Sequence, residues 1–298
     1  MTATRPSIGL ARYLPPPVPN GTRHFVGAVY AAVAGYRTLQ LDLHVPAGSG
    51  PVPLVVWVHG GAWLFGDRRF LPETLAPDQI FDALLAKGLA VATIDYRHAR
   101  EAPFPAALHD AKAAIRWLRA YSGELGIDPD RVGIWGESAG GHLAVLVGLT
   151  AHRSDLEGTI GVATESSAVS AVVDWYGVAD LDTMPVFTPP PEVVAVIPAD
   201  KLVDPLDVFL AGADAKTRAD ASPTEHVRAG APPFLIVHGT ADSVVPHAQS
   251  VLLEKRLTAA GVDARLELVP GAGHAFSGSP DIDALVDQAV DYLVERLH

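Results

Sequence analysis

Six short apolar runs, each ending in a polar or glycine-rich tip, set the strongest limit on what this chain can become: VPLVVWVHGG, GLAVATIDYR, RVGIWGES, SAVVDWYG, PPFLIVHGTAD and ARLELVPGAGH. Each is too short for a helix and is bounded by turn residues, as a buried strand requires. Several are separated by stretches of helical period: FPAALHDAKAAIRWLRAYSG, SAGGHLAVLVGL, QSVLLEKRLTAAG and the closing IDALVDQAVDYLVERLH. Strand and helix in alternation predict an α/β fold with a mostly parallel central sheet and helices on both faces. Ligand sites in such sheets lie beyond the carboxyl ends of the strands.

Upstream, YRTLQLDLHVP alternates Leu39, Leu41 and Leu43 with Gln40, Asp42 and His44, the period of a half-exposed strand. Residues 1–24 carry PPPVP and read as an arm draped over the body. From about 180 to 230 the alternation stops in a proline-rich stretch without a clear strand. Because another core strand follows at once, this is read as a cap-like insertion within one domain spanning 1–298.

Composition removes whole classes of function. The formal net charge is −12 and no basic run occurs, which argues against nucleic acid and acidic membrane surfaces as partners. There is no cysteine, so disulfides and thiolate chemistry are excluded. No apolar stretch approaches the roughly 18 residues needed to cross a bilayer, and the N-terminus lacks the apolar core of a secretory signal. The expectation is a cytoplasmic protein acting on a small neutral molecule, with the terminal helix or a sheet edge free to pair in a homodimer.

The run GIWGESAGGHLAVLV turns from strand to helix within a residue or two, and Ser138 stands at the join with Gly136 and Gly140 two positions either side. So sharp a turn strains the serine backbone and lifts the hydroxyl out at the strand's carboxyl end, the geometry of a nucleophile elbow. The plainer reading is a helix N-cap, for which serine is equally suited. A serine hydroxyl attacks only when a base takes its proton and an acid holds that base in place. HGTAD places Asp242 just past one strand, and GAGHAF places His274 just past the next, giving the chain order Ser, Asp, His. Other candidates have plainer roles: His142 one turn into the same helix as packing, His247 as a solvated residue, Asp281 and Asp283 as first-turn helix acids.

Negative charge developing on a substrate carbonyl oxygen needs donors, each worth about 3 kcal/mol of transition-state stabilisation. HGGAW supplies a loop of small residues after the second strand, and the oxyanion donors are assigned to the amides of Gly61, Ala62 and Ala139, with Gly60 as substitute for a loop displaced by one. His59 is expected to brace that loop. Trp63 and Phe65 are either core aromatics or, with Phe187, walls of the substrate pocket. Met184, Val186, Phe187, Val193, Val194 and Ile197 give the insertion an apolar lid, or pack it onto the body.

With HGGAW, DYR, GESAGG, HGTAD and GHAF in this order, the chain resembles the α/β-hydrolase superfamily over nearly its whole length. Its likeness is to the hormone-sensitive-lipase-like esterases and to the HGGxW group that includes feruloyl and acetyl esterases and kynurenine formamidases. The lipase-like members usually have a third glycine where Ala62 stands, which leans the resemblance toward the HGGxW group. It implies a triad of Ser138, Asp242 and His274, a structural role for Asp95, Tyr96 and Arg97, and no metal or organic cofactor. The expected activity is that of a serine carboxylesterase acting on short-acyl esters through an acyl-enzyme. The alternatives are an arylformamidase and a non-catalytic ligand-binding member of the superfamily. A peptidase of this fold would need an extra domain for which the chain has no length.

Overall fold

The computed structural model describes residues 22–48, 50–186 and 203–298. Its centre is an eight-stranded sheet in the order β1-β2-β4-β3-β5-β6-β7-β8. The strands are β1 (Arg23–Ala31), β2 (Leu39–Val45), β3 (Val52–Val58), β4 (Ala90–Ile94), β5 (Ile127–Glu137), β6 (Ala171–Trp175), β7 (Phe234–Gly239) and β8 (Ala264–Val269). The β1/β2 and β2/β4 pairs are antiparallel, and every pair from β4 through β8 is parallel. All the parallel strands therefore point their carboxyl ends at one rim.

The helices are α1 (Gln79–Ala86), α2 (Ala106–Ala120), α3 (Ser122–Leu125), α4 (Ala139–Thr150), α5 (Pro205–Leu210), α6 (Ala215–Asp220), α7 (Ala248–Ala259) and α8 (Ile282–Leu297). One face of the sheet is covered by α1 and α8 through Ile80, Leu84, Val286 and Leu293, which close over Trp57, Trp135 and Trp175. The other face is covered by α2, α4 and α7 through Leu108, Ile115, Leu143, Val147 and Leu253. Every residue of α4 is buried, so this helix has no polar face and runs through the centre of the molecule.

Three sequence expectations change here. The run ARLELV is not a buried strand but the edge strand β8, with exposed and half-buried residues in alternation. The arm predicted for residues 1–24 ends earlier than expected, because Arg23 already opens β1, which caps the sheet edge against β2; residues 1–21 lie outside the described ones. The half-exposed strand predicted at Leu39–Val45 is mostly buried. Its polar positions are covered through pairing: the Asp42 carboxylate takes the guanidiniums of Arg68 and Arg69 and the Gly27 amide. In the stretch predicted as a cap-like insertion, about 180 to 230, the described residues form α5, α6 and a short 3-10 turn at Pro223–His226, with no strand among them.

Charge and aromatic contacts fix the loops at the rim. Arg97, just past β4, donates from Nε and Nη2 to both carboxylate oxygens of the fully buried Asp110 on α2. The neighbouring Tyr96 hydroxyl donates to the carbonyls of His59 and Gly60, 3.0 Å from each. The DYR segment thus ties a helix and the HGG loop to one strand end.

Candidate active site

At the end of β5 the chain turns directly into α4. Ser138 is the turning residue, with φ 53° and ψ −120°, outside the regions comfortable for a residue with a side chain. A Cβ at Gly136 would collide with the Gly140 carbonyl, and one at Gly140 with the Val58 carbonyl. Only glycine fits at either position, and this close passage is what allows so tight a turn. The Ser138 hydroxyl makes no capping bond to its helix. It lies instead 3.0 Å from Nε2 of His274.

His274 stands past β8 in a short turn where Ala275 and Phe276 both have positive φ. The Thr74 hydroxyl donates to the Ala275 carbonyl, and Tyr176 packs edge-on against the imidazole at 4.9 Å. Nδ1 of His274 donates to Oδ2 of Asp242 at 2.7 Å. That bond fixes the tautomer, leaving the Nε2 lone pair facing the serine hydroxyl. Residues 138, 242 and 274, far apart in sequence, meet at one rim.

Asp242 is held on both oxygens. Oδ1 accepts from the amides of Val244 and Val245 at 2.8 and 2.9 Å, and Oδ2 accepts from His274. On the buried side, Nε2 of His238 lies 3.3 Å from the same Oδ2. Burial alone would raise this carboxyl; the bonds from His238, His274 and Val245 outweigh it and keep it well below the usual carboxylate range. His238 is itself fixed: Nε2 donates to the Val245 carbonyl at 2.8 Å, and Nδ1 accepts from Ser250 Oγ at 2.6 Å.

The HGGAW loop faces the serine. Gly61, Ala62 and Trp63 have positive φ in succession, which turns consecutive amides of this loop to one side. Among the described residues, no protein acceptor pairs with the N–H of Gly61, Ala62 or Ala139. Gly60 is different: its N–H donates to the Glu137 carboxylate at 2.6 Å, so it is not available as the substitute donor. His59 donates from Nδ1 to the Gly60 carbonyl and stacks on Tyr96 at 4.3 Å; burial pushes its pKa down to about 4, so the ring is neutral.

A cavity of about 240 Å³ opens beside Ser138, lined by Ala62, Trp63 and Ala139 from the site and by Val178, Met184, Leu206 and Val245 around it. Trp63 is both wall and core. It is buried, stacks on Phe209 of α5 at 4.5 Å, and donates from Nε1 to Nδ1 of His142 at 3.2 Å. His142, pushed down to about 4 by burial, donates in turn to the Ala221 carbonyl. Phe65 does not line the cavity: the turn closed by the Gly61 carbonyl carries it outward, 55% exposed, against Phe70. Phe187, Val193, Val194 and Ile197 lie outside the described residues. Met184 lines the cavity, and Val186 lines it while remaining 87% exposed.

Sequence reasoning passed over Glu137, His238 and Tyr176. The signal was present: each places a polar group at or just past the carboxyl end of a buried strand, where burial without a purpose is costly.

The family model BD-FAE matches residues 41–257, which contain the HGGAW loop, the serine turn and Asp242. The chain belongs to the BD-FAE family. Within the α/β-hydrolase superfamily, this BD-FAE member is 34% identical to the esterase LipC of Mycobacterium tuberculosis over 231 residues, 76% of this chain and 53% of LipC. The chain spans about half the length of LipC and of the other mycobacterial relatives of that size. It is 30% identical to an ethyl acetate hydrolase of Pseudomonas putida over 273 residues, 88% of this chain and 78% of that one. Among solved structures, a propionate-bound esterase from Thermogutta terrifontis superposes with a TM-score of 0.71 at 28% identity, covering 94% of this chain and 96% of that one.

Proposed function

We propose that this BD-FAE member is a serine carboxylesterase that hydrolyses short-acyl esters through an acyl-enzyme at Ser138. The observation that carries this reading is the continuous chain of contacts from Asp242 Oδ2 through His274 to Ser138 Oγ, opening on a small apolar cavity. His274 Nε2 takes the hydroxyl proton as Ser138 Oγ attacks the ester carbonyl. Negative charge gathers on the carbonyl oxygen and is met by the amides of Gly61, Ala62 and Ala139. The imidazolium, held by Asp242, returns its proton to the departing alcohol. Water then enters, gives a proton to His274, attacks the acyl-enzyme, and the acid leaves as Ser138 recovers its proton.

The short-acyl preference is supported by the cavity, which at about 240 Å³ is smaller than pockets that enclose drug-sized ligands. It is supported too by the P. putida relative named for ethyl acetate and by the propionate in the Thermogutta structure.

The test is a series of p-nitrophenyl esters with acyl chains of increasing length, with N-formylkynurenine as the formamide arm, alongside mass spectrometry after treatment with an organophosphonate. The expected result is highest kcat/KM on the shortest acyl groups, and one adduct on Ser138 that is absent in Ser138→Ala. Labelling that survives the substitution, or turnover that climbs steadily with chain length, contradicts the proposal.

A further inference from the structure

Glu137 precedes the serine and is completely enclosed, yet the proton transfers above do not use it. Its Oε1 accepts the Gly60 amide at 2.6 Å, joining the end of β5 to the loop after β3. The contact is close enough that a Cβ at Gly60 would collide with the carboxylate, so the second residue of HGGAW is glycine to let this side chain reach the loop. A buried carboxyl tied to a loop amide next to the reacting serine is an expensive arrangement to keep for packing alone.

Resting on the esterase reading, we propose that Glu137 is a positioning residue: its carboxylate holds the loop bearing Gly61 and Ala62 against the serine turn and stands as counter-charge to the His274 imidazolium. Both roles follow from where it sits. A charge-assisted bond to Gly60 N–H is stronger than one to a neutral acceptor and fixes the two following amides, whose aim determines how well they meet an oxyanion. A fixed negative charge near His274 favours the state in which that ring carries the serine's proton.

The groups facing Glu137 come from four segments. The loop after β3 gives the Gly60 amide, and the loop after β8 gives His274. The Tyr176 hydroxyl, past β6, lies buried near the carboxyl without closing a hydrogen bond of normal geometry. Tyr96, past β4, is fully buried and feels the same charge. Among the described residues, no lysine or arginine contributes to this balance. Burial therefore dominates and raises the carboxyl to about 7, against the smaller pull of His274, Gly60 and Tyr176. The side chain changes charge within the working range of an esterase. Above that value both roles are engaged, and below it the acceptor is neutral and the counter-charge is gone.

The test compares the wild type with Glu137→Gln, which keeps an acceptor but no charge, and Glu137→Leu, which keeps neither. For each, kcat and KM on p-nitrophenyl acetate are measured from about pH 5 to about pH 9, with the rate of inactivation by an organophosphonate. The wild-type acid limb is expected to report two ionisations and that of Glu137→Gln one. At about pH 8, Glu137→Gln should lose roughly tenfold in kcat with KM changed less than about twofold, and Glu137→Leu roughly a further tenfold as the loop is released. A wild-type kcat and pH profile in Glu137→Gln overturns the proposal, as does a folded Glu137→Leu no slower than Glu137→Gln. If Glu137→Leu does not fold, the Glu137→Gln profile decides alone. A wild type that the phosphonate never labels defeats the esterase reading instead; a labelled wild type with an indifferent Glu137→Gln defeats only this one.

Discussion

Asp242 Oδ2 is approached by two imidazoles, and their surroundings assign them different work. His274 is partly exposed and reaches the serine; His238 is fully buried and has both ring nitrogens committed to Val245 and Ser250. The first can exchange a proton during turnover. The second can only hold the carboxylate in line. Asp242→Asn, which leaves Nδ1 of His274 facing a group that no longer dictates its tautomer, is expected to lower kcat by about 10⁴-fold. His238→Asn, which removes one of the contacts on the same carboxylate, is expected to lower kcat by roughly tenfold with little change in KM. Steady-state kinetics on p-nitrophenyl acetate check both. Equal losses in the two variants would mean that the buried ring matters as much as the exposed one, contrary to this division.

At the scale of elements, the rim is assembled by ties between segments that sequence periodicity does not couple. Asp110 on α2 has no exposure and takes three donor groups of Arg97, its backbone amide, Nε and Nη2. Asp110→Ala leaves that guanidinium largely buried and uncompensated, which costs about 3–5 kcal/mol. The urea midpoint should fall accordingly, and a change within experimental error would show that the guanidinium finds water instead. The same distinction explains what the chain disclosed before folding. β3 through β7 and the serine turn were legible because a buried parallel strand must be an apolar run and a strand-to-helix elbow must have glycine around it. β1 was not, because RHFVGAVYA mixes polar and apolar residues without a clean period and pairs only along one edge. The burial of β2 was hidden for another reason: Asp42 looks like a solvent-facing residue until Arg68 and Arg69 arrive from a distant loop. Phe65 was misplaced because the direction of a side chain on a tight turn depends on φ values that residue identity alone does not give.

Over the whole molecule, buried ionisable groups pull stability in opposite directions as pH changes. His59, His109 and His142 are lowered to about 4 by burial, so between about 4 and the ordinary histidine value near 6.5 the unfolded chain binds more protons than the native one. Stability from these groups rises with pH through that window and is complete above it; His44 and His226, lowered for the same reason, add to the rise. Glu137 and Asp174 act the other way. Burial raises both to about 7 and pushes Asp110 in the same direction, so the native state holds protons that the unfolded chain has already released, and stability from these groups falls as pH climbs upward from the ordinary carboxylate range. Each proton of difference is worth about 1.4 kcal/mol per pH unit. Histidines outnumber carboxyls on the acid side, and near neutrality the two sets nearly cancel. Thermal or urea unfolding followed from pH 5 to pH 8 should therefore show stability rising to about pH 6.5 and then changing little. Glu137→Gln removes one of these opposing carboxyls, so its stability relative to the wild type should improve steadily from pH 5 to pH 8, even as its kcat falls further behind that of the wild type. A stability difference between the two proteins that stays constant across that range would mean that Glu137 does not hold its proton at mildly acidic pH, and the opposition between stability and catalysis at this position would be lost with it.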